Sequence, residues 1–560
     1  MLEAIFELFV PLVIAFMIDR GIGQADTEAV LKSALLLFVL AVIGLTCAIT
    51  AQYYAAKAAI GAATAIRHRL FAHLQSFSYS RIDEVGCDTM ITRMTSDINL
   101  VQTGINMALR LFLRSPFIVF GAMIMAFTID FDGALIFTVT IPLLTLVVYG
   151  IMLWTMPMYR AVQAGLDSIL RRTRENLSGI RVVRAFGAEH SEIQAFGQES
   201  DELNNRQLRV GRISALTNPV TFIVVNAATL VLLYTGAVKV DEGILTRGQV
   251  VALVNYMSQI LVELIKLANL IVTISKAMSG SARVQQLLDT PPEMGTEITE
   301  ADRIAQASDA HAGREEKAAI LQLIDASLSY NGGDEALSHI SLTVHEGETI
   351  GIIGGTGSGK TSLVNLICGF YMPTEGQVYI MSRESHHWEE KSLREEIGLV
   401  PQKSVLFSGT VAENIRWGNS QASDEELIEA LRMASAWDFL EEKEGIDTKV
   451  EQGGRNFSGG QRQRLTIARA LIRRPKILIL DDSTSALDYA TDLKVRQAIG
   501  SMGSDSYRPT VLIVSQRPSS IMSADQILVL EDGRCAGLGR HEQLMEGCSV
   551  YREIYDITMR

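Results

Sequence analysis

Basic charge is in short supply in this chain. Lys and Arg number 50 against 63 Asp and Glu, a formal net charge of −13. That balance argues against a nucleic-acid partner, which would favour a basic stripe. Cysteine is scarce too. Cys47, Cys87, Cys368, Cys535 and Cys548 stand far apart, with no CxxC pair and no metal-ligand spacing. They read as reduced thiols used as small apolar fillers. The first apolar run, 2–16, does not read as a secretory leader: it has no basic leading region or small-residue cleavage site and carries Glu3 and Glu7. That run reads as the outer part of a first membrane helix that begins too late. About 15 residues before Asp19 reach only ~23 Å at ~1.5 Å each, short of a ~30 Å bilayer core. The expectation is an additional amino-terminal stretch in the native chain.

Apolar matter is plentiful. It makes up 48% of 560 residues, too much for one soluble domain, and the length predicts at least two domains. Up to about Leu288 the apolar residues come in long runs; beyond it they fall into the short stretches of a soluble α/β protein. A helix needs ~20 mostly apolar residues to span a bilayer, and six candidates fall near 2–20, 34–56, 108–129, 134–156, 214–237 and 248–274. Three links between them are short and acidic (21–28, 129–132 and 240–243), while 67–114 and 159–212 are long and rich in arginine. The positive-inside tendency puts the long links in the cytosol. Proline and glycine clusters are absent from those links and the amphipathic pattern runs on, which predicts helices extending well beyond the membrane. Charged side chains within spans usually face the bundle interior, so Glu7, Arg110, Arg114, Glu263 and Lys266 are candidate pathway residues. The alternative is that Arg110 and Arg114 snorkel at the cytosolic boundary and Glu263 pairs with Lys266.

The predicted fold is an α-helical six-span transmembrane domain with long cytosolic helix extensions (1–288), a polar linker (289–318) and an α/β P-loop nucleotide-binding domain (319–560). In the last, an apolar strand run, 348–353, feeds into Gly354-Gly355-Thr356-Gly357-Ser358-Gly359-Lys360-Thr361, a match to GxxxxGK[ST], with a helix-like segment from Ser362 onward. Strand, glycine loop and helix is the context that makes this pattern a phosphate site. Glycines let backbone N–H groups converge on phosphate oxygens and the helix N-terminus adds its dipole. Lys360 neutralises the terminal phosphates and the Thr361 hydroxyl ligates Mg²⁺. About 120 residues later Ile477-Leu-Ile-Leu-Asp-Asp482 makes a buried strand with Asp481 at its end, placed to hold hydrated Mg²⁺. Between them lies Phe457-Ser458-Gly459-Gly460-Gln461, which alone would read as a helix N-cap with Ser458 as the cap.

Together these segments resemble the Walker A, signature and Walker B motifs of ATP-binding cassette proteins. Val400-Pro-Gln402 is similar to the Q-loop, Ser485-Ala-Leu-Asp488 to the D-loop, and Tyr330 sits where the adenine-stacking aromatic belongs. Residues 449–454 occupy the place of the short loop with which exporters touch the membrane domain. In the first half, 87–97 and 175–187 resemble the two intracellular loops of bacterial multidrug-type exporters. The resemblance covers nearly the whole chain. It implies ATP and Mg²⁺ as cofactors, with Thr361, Gln402 and Asp481 about the metal, and a dimer with coupling helices docked on the cassettes.

Two positions depart from that pattern. The catalytic base expected as Glu is Asp482, and the switch histidine expected after the next strand is Gln516. One methylene less draws a carboxylate back by about 1.5 Å, and misplacement near 1 Å can cost on the order of 10²-fold in rate. Glutamine cannot become charged. Both changes, set beside Gln402, weaken hydrolysis and leave the nucleotide-holding groups in place. The resemblance implies that this chain's Walker site is degenerate while its signature completes a partner's site, as in heterodimeric bacterial exporters. The expectation is thus an ATPase subunit of a multi-pass cell-membrane exporter with its cassette in the cytoplasm. It would pair with a second half-transporter, contact membrane lipid and move an amphipathic small molecule. Rival readings are a lipid, peptide or thiol exporter, an importer with the exporter fold, and a nucleotide-sensing regulatory subunit.

Overall fold

The computed structural model describes residues 2–292, 319–330, 332–483, 487–502 and 508–559. Most of the expected linker, and Ser485 and Ala486 of the expected D-loop, lie outside those residues. The chain divides into two compact units, Met1–Leu74 with Asp88–Thr290, and Gln75–Cys87 with Pro291–Arg560. The segment Gln75–Cys87 comes from the first half of the sequence but belongs by its packing to the second unit.

The first unit is helical: α1 (Leu2–Phe16), α2 (Thr27–Gln75), then, beyond the short helices α3 (Tyr79–Val85) and α4 (Cys87–Thr92), α5 (Ile98–Leu111), α6 (Arg114–Ile129), α7 (Phe131–Ser178), α8 (Ile180–Ala185), α9 (Glu189–Ala215), α10 (Thr217–Asp241) and α11 (Arg247–Asp289). Of these, α3 lies in the second unit. Five stretches among the described residues are long and apolar enough to cross a membrane, each 43 to 53 residues: Thr27–Gln75, Cys87–Ile129, Phe131–Ser178, Glu189–Asp241 and Arg247–Asp289. At ~1.5 Å per residue they reach ~65–80 Å, over twice a ~30 Å bilayer core. The expected extensions beyond the membrane are therefore present. The expected first span is helical but shorter, with 15 residues in α1 and a π-helical turn, Met17–Ile22, after it.

Polar groups at the helix ends explain where the helices stop. Asp130 caps α7 by accepting from the Gly133 N–H at 2.7 Å, and Lys239 near the end of α10 reaches both Asp130 and Asp132 at 2.7–2.8 Å. The acidic link read from the sequence is thus neutralised by a neighbouring helix. Asp19 accepts from the Thr246 hydroxyl at 2.5 Å and the Gly248 N–H at 2.7 Å, fastening α1 to the start of α11. A Cβ on Gly248 would lie 2.2 Å from the Ala15 carbonyl oxygen, so only glycine lets these helices close. Deeper in, the buried Tyr256 hydroxyl donates to the Leu8 carbonyl at 2.6 Å.

Four of the five candidate charges, Glu7, Arg114, Glu263 and Lys266, form one network. Arg114 pairs with Glu7 at 2.8 Å, Glu3 at 3.3 Å and Glu263 at 3.9 Å. Glu263, almost wholly buried, also accepts from the Ser115 hydroxyl at 2.6 Å and from Lys266 at 2.7 Å. The Glu263–Lys266 pair is as the sequence suggested. Arg114 turns toward α1 and α11 and binds both to α6, because three carboxylates converge on it.

The second unit carries two sheets and a small two-stranded ribbon. One sheet has the order β2-β1-β4-β5, from β1 (Ala319–Ser329), β2 (Glu335–His345), β4 (Glu375–Ile380) and β5 (Arg383–Glu384), all neighbours antiparallel. The other has the order β12-β11-β3-β10-β9-β6, from β3 (Thr349–Gly354), β6 (Ile397–Val400), β9 (Ile477–Asp481), β10 (Thr510–Val514), β11 (Gln526–Glu531) and β12 (Arg534–Gly539). Its strands are parallel apart from β12. The ribbon pairs β7 (Gly409–Thr410) with β8 (Lys449–Val450). Strands β9 and β10 are buried along their whole length, as their unbroken apolar runs demand of a sheet covered on both faces. On one face Leu363, Val364 and Ile367 of α12 (Lys360–Ile367) pack with Ile350, Ile352 and Ile479. On the other face Leu465, Ile467 and Leu471 of the helix Gly459–Leu471 pack with Leu478, Leu480 and Ile513.

Candidate nucleotide-binding site

Parallel pairing brings the carboxyl ends of four strands to one edge. Val514 lies beside Asp481 and beside Ile352, and Leu480 lies beside Val400. The residues just beyond those ends are the glycine loop after β3, Gln402 after β6, Asp481 and Asp482 at the end of β9, and Gln516 after β10. Ligands of open α/β sheets bind at that edge.

Gly354, Gly355, Thr356, Gly357, Ser358 and Gly359 form the turn between β3 and α12. Gly359 has φ +93° and its added Cβ would lie 2.7 Å from the Ala336 carbonyl oxygen, so the turn into α12 requires glycine there. Lys360 is buried and folds back over the loop, donating to the Gly354 carbonyl at 2.8 Å, the Gly355 carbonyl at 2.6 Å and the Ser358 hydroxyl at 3.3 Å. Burial lowers its pKa, while the charges of Asp482 and Asp481 pull it back up. An ammonium set among neutral acceptors at a helix N-terminus suits an anionic group. Thr361 and Ser362 follow in the first turn of α12.

Asp481 is buried, and its carboxyl is pushed up to about 6, first by burial and then by the charge of Asp482, with Lys360 acting in the opposite sense. Such a carboxylate gains from a cation. Among the described residues no three His, Cys, Asp or Glu side chains gather to hold a metal. Mg²⁺ takes one or two carboxylates together with nucleotide phosphates rather than a protein cage. Thr361, Gln402 and Asp481 would hold it, and when bound it would neutralise charge on the terminal phosphates.

Asp482 accepts from the Gln402 amide at 3.2 Å, and its own N–H donates to the Val514 carbonyl at 2.9 Å. Its φ is +45°, a left-handed conformation that Asp tolerates better than most side chains. Gln516 is exposed in the turn after β10. Tyr330, at the end of β1, is partly buried and accepts from the Asn365 amide of α12 at 3.4 Å.

The signature residues stand apart from this edge in the same chain. Ser458 caps the helix Gly459–Leu471, its hydroxyl accepting from the Gln461 N–H at 3.3 Å while the Gln461 side chain accepts from the Ser458 N–H at 2.9 Å. Ser458 and Gly459 are exposed, with Gly460 half-buried, and that helix lies on the opposite face of the sheet from α12. Asp488 caps the helix Tyr489–Ser501 through Thr491 at 3.1 Å and 2.7 Å.

Gln463 escaped the sequence reading. It is buried, donates to the Pro401 carbonyl at 3.4 Å and hydrogen-bonds the Ser404 hydroxyl, tying the signature helix to the segment that carries Gln402. Its place four residues before the buried Ile467 was the available signal, obscured by the polar run 461–464.

Comparisons with known proteins agree with this geometry. A model of the ABC transporter transmembrane region matches residues 1–264, and one of the ABC transporter matches residues 337–485. The chain is 35% identical to an uncharacterized ABC transporter ATP-binding protein of Mycobacterium tuberculosis (strain ATCC 25618 / H37Rv), over 99% of this chain and 93% of that one. It is 30% identical to an ATP-dependent lipid A-core flippase of Syntrophus aciditrophicus (strain SB), over 88% of this chain and 80% of the other. Among solved structures, a bacterial Atm1-family ABC exporter with ATP bound shares the fold. The TM-score is 0.80 at 23% identity, covering 100% of this chain and 97% of that one.

Proposed function

Because this chain belongs to the ABC transporter family, with a membrane-spanning exporter fold and a cassette ATPase domain, we propose that it is the degenerate-site half of a heterodimeric, ATP-driven exporter. Its own Walker site, Lys360, Thr361, Gln402 and Asp481, holds MgATP and turns it over slowly. Its signature, Ser458 to Gln461, completes the faster site of a second half-transporter that carries Glu and His at the two altered positions. The cargo is an amphipathic small molecule taken from the membrane. A lipid is the second reading, favoured by the relative named as a lipid A-core flippase.

The observation that carries the asymmetric reading is Asp482. Its carboxylate is one methylene short, sits on a left-handed backbone and is engaged by the Gln402 amide at 3.2 Å. The test is to purify this chain alone and with its candidate partner in nanodiscs and compare ATPase rates. The expected result is on the order of 10²-fold faster turnover by the pair. A stable homodimer as fast as the pair would overturn the reading.

A further inference from the structure

The segment Gln75–Cys87 is joined by the chain to α2 at one end and α4 at the other, both in the first unit, yet it packs within the second. Its helix α3 is attached there at Tyr79 and at Asp83. The Tyr79 ring stacks on Phe370, centroids 4.3 Å apart and planes inclined by 27°. The Tyr371 hydroxyl donates to the Asp83 carboxylate. Phe370 and Tyr371 lie in the turn after α12. Tyr371 also meets Tyr330 edge to face, centroids 4.9 Å apart at 86°.

We propose that Tyr371 is a positioning residue that links adenine stacking at Tyr330 to the seating of α3. The link rests on Tyr330 being the adenine-stacking ring, as the functional reading has it. An edge-to-face pair is orientation-dependent, because the positive ring edge must meet the negative face. The hydrogen bond to a carboxylate is charge-assisted and fixes where the hydroxyl end of the Tyr371 ring lies. Tyr330 is held from its other side by the Asn365 amide of α12, the helix that begins at Lys360. A purine stacked on Tyr330 selects one orientation of that ring. Tyr371 follows it, and the Asp83 end of α3 is seated or released. Burial, and then the bond to Asp83, raise the Tyr371 hydroxyl above the ordinary tyrosine range, so it stays a donor at neutral pH. The stack of Tyr79 on Phe370 needs no hydroxyl. Removing the Tyr371 oxygen therefore leaves α3 attached while cutting the link.

The experiment is hydrogen exchange on the full chain in nanodiscs, alone and with ATP, GTP or inorganic tripolyphosphate. In the wild type, ATP slows exchange of the amides of residues 79–85 by at least threefold, and tripolyphosphate does not. Tyr371→Phe and Asp83→Ala each remove that adenine-dependent slowing, while ATP affinity stays within about threefold of wild type. Undiminished slowing in both variants overturns the link, as does equal slowing by tripolyphosphate in the wild type. Tyr330→Ala is read separately through ATP against GTP affinity. Unchanged preference for ATP there would remove Tyr330 from the adenine site and leave the Asp83–Tyr371 attachment as a staple only.

Discussion

The two altered residues after β9 and β10 make predictions that depend on single atoms. A carboxylate drawn back by about 1.5 Å and a side chain that cannot be charged should both slow hydrolysis. In a homodimer of this chain, the double change Asp482→Glu with Gln516→His should raise ATPase activity on the order of 10-fold or more. Asp482→Glu alone should cost about 1 kcal/mol in a thermal melt, since φ +45° is harder for glutamate than for aspartate. No gain in the double variant would return the slow step to some other group. Asp481 sets a pH dependence. Its carboxyl is raised from 3.8 to about 6, so the folded cassette keeps between those values a proton that the unfolded chain has released. Stability from this group is lost as pH rises through the window, while the ionised form that Mg²⁺ needs is complete only above it. The Mg²⁺-dependent part of ATP affinity should therefore fall below pH 6 by up to about tenfold per unit. Isothermal titration with MgATP and with ATP in EDTA measures it, and Asp481→Asn should flatten the profile. Equal Mg²⁺ dependence at pH 5 and 7.5 in the wild type would take Asp481 out of the metal site.

Elements with one repeated chemistry were legible; junctions between elements were not. The apolar runs 350–353, 477–480 and 511–514 could only be buried strands, and the glycine pattern after the first could only be a turn into a helix. The long spans were legible for the same reason. Within the polar run 461–464 the place of Gln463 four residues before Ile467 was too weak a signal, because its role depends on a strand end some 60 residues earlier in the chain. The turn of Arg114 toward α1 and α11 was hidden likewise, since its partners Glu7 and Glu263 are brought to it only by the packing of those helices against α6. The bracing around the Q-loop is testable. Asn414 accepts from the Phe407 N–H at 2.9 Å and donates to the Phe407 carbonyl at 2.8 Å, while Arg469, its pKa lowered to about 10 by burial, reaches the Asn414 side chain at 3.0 Å. Gln463→Ala and Asn414→Ala should each destabilise the chain by about 1–3 kcal/mol, since each strands buried partners. Chemical denaturation followed by the cassette tryptophans Trp388, Trp417 and Trp437 reads this. Losses below half a kcal/mol in both would mean that water replaces these bonds freely.

At the scale of the whole molecule, one chain carries two half-sites that do not meet each other. The glycine loop, Lys360 and Asp481 lie at the sheet's carboxyl edge beside α12, while Ser458 is the exposed cap of the helix Gly459–Leu471 on the opposite face. In the proposed pair a second cassette brings a signature to each Walker site, and the two composite sites differ in speed. Ser458 of this chain would serve the fast site by stabilising charge on the partner-held phosphate, and donors of that kind are worth on the order of 10²-fold. Lys360 would serve only the slow site. In the co-expressed pair, Ser458→Ala should then cut turnover far more than Lys360→Ala, although Lys360 belongs to the chain's own Walker motif. The capping geometry complicates the alanine variant, because losing the Ser458 oxygen also removes a helix cap worth about 1 kcal/mol. Ser458→Asn separates the two effects, since it keeps a capping oxygen and changes the group offered to phosphate. A melt that recovers with Asn while turnover stays low assigns the loss to the phosphate contact. Turnover that recovers with the melt, or equal losses in Ser458→Ala and Lys360→Ala, would sink the asymmetric pair.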